Sequence, residues 1–264
     1  MLAPIYAMPV NLLWRDIMAE LQELLTRLKL KGLLETFEQR LLQARDSGLS
    51  HQEFITLLLQ DEVQRRDANI LIKRLTRAKF EEAKTLEGLQ LEHYPVKQQQ
   101  IIRELSCGSY VKENRHIVIM GPTGTGKTHL AQALGHHACR QGINVRFIRA
   151  QALYRHLEAS RADKSWEIAF KKFLSPKLLI IDDFGLQALT ETQAEDIYEL
   201  IAERYLKGSF IITSNRTVEA WLDLFPDKVM ANAALDRLSN QAHHVVLTGE
   251  SYRRKMNSKT KVEK

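Results

Sequence analysis

His116-Ile117-Val118-Ile119-Met120-Gly121-Pro122-Thr123-Gly124-Thr125-Gly126-Lys127-Thr128 decides the architecture. The first five residues are mostly apolar and β-branched, which reads as a buried strand. The next eight satisfy G-x-x-x-x-G-K-[ST], and His129 to Arg140 continues as a helix-like run. Strand, glycine loop and helix in that order make a phosphate cradle. Glycines let successive backbone N–H groups curl around phosphate oxygens, and the helix N-terminus adds positive potential. In such a loop Lys127 meets the β and γ phosphates and Thr128 holds Mg²⁺. Gly121, Pro122, Thr123, Gly124, Thr125, Gly126, Lys127, Thr128 and His129 are therefore the candidate cofactor residues, with ATP and Mg²⁺ as the expected ligands. The alternative is a glycine-rich turn whose strand and helix flanks are coincidental.

Downstream, Leu178-Leu179-Ile180-Ile181-Asp182-Asp183 is an apolar strand ending in two carboxylates. Behind a P-loop, the first is expected to hold Mg²⁺ through water as a Walker-B residue, and the second to orient or deprotonate the attacking water. Lys127, Asp182 and Asp183 are thus catalytic candidates, and Thr128 with Asp182 the metal candidates. A solvated strand end is the competing reading of the acidic pair.

Working outward, short β-branched runs at 116–120, 144–148, 178–182, 209–213 and 243–247 alternate with helical stretches, the rhythm of a parallel sheet covered by helices. Asp16 to about Glu87 instead has helical periodicity, with Leu21, Leu24, Leu25 and Leu28, then Leu33, Leu34, Phe37, Leu41 and Leu42. Gly48 ends one helix, and Ser50 with Glu53 has the spacing of a capping box for the next. A third helix-sized stretch, Asn69 to Lys84, carries Lys73, Arg74, Arg77 and Lys79. Periodicity fades between Leu86 and Pro95, and Tyr94-Pro95 disfavours helix. The expected fold is α/β, a P-loop domain with a parallel sheet flanked by helices over 91–252. A small all-α domain over 1–90 precedes it, and a basic tail over 253–264 follows.

The chain of 264 residues is 44% hydrophobic, 27% charged and +6 at neutral pH. Residues 1–114 are balanced at 16 charges of each sign, while the remainder holds 22 basic against 16 acidic side chains. The excess is local, since 140–172 has eight basic residues and three acidic ones. Cys107 and Cys139 lack zinc-ligand spacing. The opening residues lack a basic flank and a cleavage site, and no apolar run approaches membrane-spanning length. A cytoplasmic protein without a membrane role is expected.

A third strand, Phe210-Ile211-Ile212-Thr213, ends in Ser214-Asn215, and with the P-loop and the acidic pair it resembles an AAA+ ATPase. The resemblance implies that Asn215 is a sensor beside the γ phosphate, against the reading of a strand-ending turn residue. Leu235-Asp236-Arg237-Leu238 resembles the segment that gives an arginine finger to a neighbouring subunit's ATP, against a surface Arg paired with an acid. Arg253, in Ser251-Tyr252-Arg253, resembles a second sensor, or else is the first charge of the tail. More specifically, Ile180-Ile181-Asp182-Asp183-Phe184-Gly185, Glu203-Arg204-Tyr205, Ile212-Thr213-Ser214-Asn215, Asp236-Arg237-Leu238 and Gly249-Glu250-Ser251-Tyr252-Arg253 resemble IstB, the ATP-dependent helper of insertion-sequence transposition. The helical half, with Leu30-Lys31-Gly32-Leu33, and the Tyr94-Pro95 linker extend that resemblance. The DnaC-type helicase loader is a close relative and the alternative reading. Little chain follows Arg253, so the helical lid of many AAA+ proteins is expected to be missing and oligomer contacts to close the site. The resemblance implies a homo-oligomer with shared ATP sites on duplex DNA, bent without sequence preference and presented to a partner transposase of the IstA type. ATP would be the switch and hydrolysis the reset.

Between the second and third strands lie Arg146, Arg149, Arg155, Arg161, Lys164, Lys171 and Lys172, with Tyr154, His156 and Trp166 among them. In the related ATPases an extra helical element here lines the DNA path. Arg149, Arg155, Arg161, Lys164, Lys171 and Lys172 are the DNA-binding candidates, their phosphate contacts supplying salt-sensitive affinity. A merely solvated basic helix face is the competing view. The charge-balanced first domain reads as mainly protein-binding and oligomer-forming, with its Leu stripes as core and an exposed partner groove as the competing view.

Overall fold

The computed structural model describes residues 10–89, 91–240 and 242–248. The chain divides between Ile72 and Lys73 into two compact units. The first contains α1 (Val10–Arg27), α2 (Lys31–Ser47) and most of α3 (His51–Ala78). Gly48 ends α2 in the left-handed region, φ 61°, where its N–H reaches Ala44 O. The Ser50 and Glu53 capping box forms as the spacing predicts: Ser50 N–H donates to Glu53 Oε2 at 2.8 Å, and Glu53 N–H to Ser50 Oγ at 3.3 Å.

Leu25, Leu33 and Leu58 are the buried centre of this unit, with Phe37 packed edge-on to Phe54 at 5.9 Å. α2 and α3 meet closely at Gly32, whose N–H donates to Glu62 Oε2 and where a Cβ would fall 2.8 Å from Glu62 Cα. Arg40 grips Asp61 through two parallel bonds of 2.7 and 2.8 Å. Not every Leu in the stripes is core: Leu24, Leu28 and Leu42 are exposed. The third helix also differs from the expected Asn69 to Lys84. No Gly or Pro interrupts 51–78, so one helix runs through to Ala78, and Lys79 at φ 61° stops it. Beyond that stop the Phe80 ring stacks on His136 at 4.2 Å, which draws the chain out of helical register.

In the second unit α4 (Val96–Ser106) and α5 (Ser109–Lys112) precede a five-stranded sheet. Its strands are β1 (His116–Met120), β2 (Val145–Arg149), β3 (Leu178–Phe184), β4 (Ser209–Ser214) and β5 (Ala242–Val246). They lie in the order β2-β3-β4-β1-β5, and every pairing is parallel. Between them run α6 (Lys127–Arg140), α7 (Ala150–Ala162), α8 (Trp166–Leu174), α9 (Glu191–Arg204) and α10 (Lys228–Ser239). Side chains alternate along each strand, so successive residues serve opposite faces. Val118, Met120, Leu179, Ile181, Phe210 and Ile212 share a core with α7 to α10. On the other face α6 comes so close that a Cβ on its Gly135 would meet Ile180 Cδ1 at 2.6 Å. The result is the helix–sheet–helix α/β architecture that the alternating pattern predicts, with an all-α segment before it.

Because all strands are parallel, β1, β2, β3 and β4 end on one edge of the sheet, where open α/β folds place ligands. Arg204, at the end of α9, stiffens the opposite edge. It is 2% exposed and donates to the carbonyls of Phe173, Leu174, Pro176, Lys177 and Ser209 while lying 4.9 Å over the Phe210 ring. Burial lowers its pKa to about 10. No described helix is long and apolar enough to cross a membrane.

Candidate nucleotide-binding site

The chain leaves β1 at Met120 and turns at Gly121, whose N–H donates to Ser214 O at 3.2 Å. The loop closes at Gly126, φ 92°, a conformation that disfavours any residue with a Cβ. A side chain there would also meet the Tyr94 hydroxyl at 2.6 Å. Within the loop, Thr125 Oγ1 and Lys127 Nζ each donate to Pro122 O at 2.9 Å. Lys127 is only 5% exposed, so its ammonium is held at the first turn of α6 among the loop's backbone groups.

Thr128 reaches from α6 to the end of β3. Its hydroxyl lies 2.9 Å from Asp182 Oδ1 and 3.0 Å from Oδ2. Asp182 also accepts from Thr213 Oγ1 at 2.5 Å and is fully buried. Burial raises its pKa; the Thr213 and Thr128 hydroxyls and the nearby Arg149 charge oppose that shift, whereas the Asp183 charge adds to it. A buried carboxylate beside a hydroxyl on an open strand edge is an all-oxygen donor set that suits a small hard cation.

The acidic pair is not on a regular strand. Ile181 pairs with Ile212 and Phe184 with Ser214, so β3 has one residue more than β4 between the two pairs, and a bulge results. Asp183 in that bulge has φ 55°. Its N–H donates to Thr213 Oγ1 at 2.9 Å. Asn215 follows β4 on the same edge and is exposed. The structure thus brings Lys127, Thr128, Asp182, Asp183 and Asn215 to adjoining strand ends, although Lys127 and Asn215 are far apart in sequence.

Other candidates lie elsewhere. His129 faces the 82–85 segment, where burial lowers its pKa and the Thr85 backbone bonds it. Arg237 is half-buried, with Nη1 on Ala233 O at 2.8 Å and its guanidinium 5.5 Å from the Tyr198 ring centroid. Arg253 is outside the described residues. Arg149 ends β2 in register with Asp182 and pairs with Glu81 at 2.5 Å, so its charge belongs to the strand edge. α7 and α8 carry the other basic candidates. Arg161 is bound to buried Asp196, which also accepts from Trp166 Nε1 at 3.0 Å, and stacks 4.8 Å over the Trp166 ring. Arg155, Lys164, Lys171 and Lys172 are exposed. Tyr154 is not available to a base or sugar: it is 4% exposed, in the core between α7 and the sheet.

Sequence reasoning gave Thr213 no role, although a hydroxyl in the otherwise apolar run Phe210-Ile211-Ile212 was the available signal. It also gave none to Tyr94, whose packing on Gly126 has no local signature.

Similarity to known proteins agrees with this geometry. Residues 23–260 match the IstB-like ATP binding protein family. A protein named for ATP binding in an insertion sequence of Mycobacterium tuberculosis is 39% identical over 88% of this chain and 93% of its own length. One named for ATP binding in insertion sequence IS21 of Pseudomonas aeruginosa is 34% identical over 93% and 92%. The crystal structure of the DnaC helicase loader superposes with a TM-score of 0.50 and 24% identity, covering 58% of this chain and 89% of that one, which shows a shared fold. With the P-loop and acidic strand end in place on that fold, the chain belongs to the IstB-like family of insertion-sequence ATP-binding proteins.

Proposed function

We propose that this protein is an Mg²⁺-dependent ATPase that assembles on duplex DNA in its ATP state, remodels it and recruits the transposase of its insertion sequence, with hydrolysis resetting the assembly. The carrying observation is the Thr128–Asp182 contact, which joins the P-loop helix to the acidic end of β3. In this reading the loop N–H groups and Lys127 bind the β and γ phosphates. Thr128 and Asp182 would hold Mg²⁺, which when bound offsets charge on the phosphate oxygens. Asp183 orients or deprotonates the attacking water, and Asn215 positions it at the γ phosphate. Arg237 serves the ATP of a neighbouring subunit, for which it must leave Tyr198. His129 supports the loop from behind, and Arg253 is a second contact to phosphate.

On the DNA side, Arg161 and Arg149 are occupied by Asp196 and Glu81. Arg155, Lys164 and Lys172 therefore supply most of the phosphate affinity from the α7–α8 surface, joined by Lys171, whose ion pair to Glu167 is long, at 3.8 Å, and exposed. Residues 1–90 make the contacts between subunits and to the transposase, and the site of action is the cytoplasm. Phosphate release with and without duplex DNA tests the reading. Asp183→Asn should bind ATP normally, lose turnover and hold the DNA assembly; wild-type turnover in that variant would contradict it.

A further inference from the structure

The bulge in β3 sets Asp182 and Asp183 together opposite a single residue of β4, and that residue is Thr213. Its hydroxyl is used twice. Asp183 N–H can only donate, so Thr213 Oγ1 accepts there, at 2.9 Å. The hydroxyl hydrogen is then free for Asp182 Oδ1, at 2.5 Å. Thr213 is fully buried on a strand buried throughout, so no water competes for either bond.

The two bonds act on a strained backbone and on a buried carboxylate. Asp183 at φ 55° occupies the left-handed region, which is strained for an L-residue and which the bond to Thr213 helps to hold. Asp182 is fixed on one side by Thr213 and on the other by Thr128, which sets the plane of its carboxylate. The next residue but one, Asn215, begins the loop after β4. A shift of β4 along its axis therefore moves Asn215 and, through one hydroxyl, both acidic residues.

We infer that Thr213 is the positioning residue of this ATPase site, its hydroxyl holding the β3 bulge so that the metal-side and water-side carboxylates are aimed together. The inference rests on the hydrolytic reading of Asp182 and Asp183. Thr213 touches neither nucleotide nor water in this role and acts through the acidic pair, whose displacement is expected to cost about 10–100-fold in activity.

The test compares wild type with Thr213→Val, which keeps the shape and loses the hydroxyl, Thr213→Ser, which restores it, and Asp183→Asn. ATP affinity, kcat and amide hydrogen exchange of Asp183 are measured on each full-length chain. Thr213→Val should lower kcat 10–100-fold, keep ATP affinity within about threefold, and speed exchange of the Asp183 amide at least tenfold, roughly the scale of one lost buried bond. Thr213→Ser should return all three toward wild type. Should Val not fold, Thr213→Ala is expected to give the same pattern. Unchanged exchange and kcat in the hydroxyl-less variants, or a Ser variant as impaired as Val, would overturn the inference. Wild-type turnover in Asp183→Asn would instead overturn the hydrolytic reading, and the exchange result would still decide whether Thr213 holds the bulge.

Discussion

Asp182→Asn should make the nucleotide-free protein more stable while removing its use of Mg²⁺ and ATP. The wild-type carboxylate is fully buried, and burial raises its pKa, so the ionised form is disfavoured in the folded chain. An amide has the same shape and no charge. Its oxygen can still accept from Thr213, and its NH₂ can donate to the Thr128 hydroxyl, whose own hydrogen then turns away from residue 182. The amide removes that burial penalty, so the variant should melt at a higher temperature than the wild type. Because the folded pKa lies above the unfolded one, the neutral carboxyl favours folding in acid and this contribution is lost as pH rises through the raised value. The Tm gap between variant and wild type should therefore open from the ordinary carboxylate range upward and close below it. Thermal melts without Mg²⁺ or nucleotide across that range are the assay, with Mg²⁺-dependent ATP binding measured alongside. A variant less stable than wild type near neutral pH would refute the reasoning that function maintains a strained buried charge here.

Arg204→Met should lower stability by about 3–5 kcal/mol, since it strips five carbonyls of one shared donor, and a denaturant midpoint close to wild type would contradict that. Gly126→Ala should cost about 1–2 kcal/mol from backbone strain, plus a contact with the Tyr94 hydroxyl. Adding Tyr94→Phe should recover only the contact part, so a double-mutant cycle that is strictly additive would sink this packing argument. Lys171→Ala with Lys172→Ala should reduce the salt dependence of duplex binding by about two in log–log slope, read from a titration series.

Most of the sheet was legible because each strand is a short β-branched run bounded by a turn, and the five predicted runs match the observed strands to within one residue at each end, except that β3 continues to Phe184. The P-loop was legible because its chemistry fixes residue types at fixed spacing. Strand order was not, since parallel pairing of β1 with both β4 and β5 depends on contacts remote in sequence. The bulge was hidden for the same reason: Asp182 and Asp183 look like a regular strand end until the register of β4 is known. Charge misled where burial decides. Tyr154 stands in a basic stretch yet points into the core, and Arg149 belongs to the strand edge because β2 ends there. The sequence reading set Asn69 to Lys84 apart as a third helix-sized stretch, although nothing between His51 and Ala78 breaks a helix.

The most direct test of the account is binding of the full-length protein to duplex DNA with light-scattering detection, over a salt series, with and without Mg²⁺ and ATP. Large assemblies on duplex are expected that require ATP, weaken steeply with salt and are absent in Lys127→Ala. Duplex binding indifferent to ATP and to Lys127, or a preference for single strands without self-assembly, would contradict it.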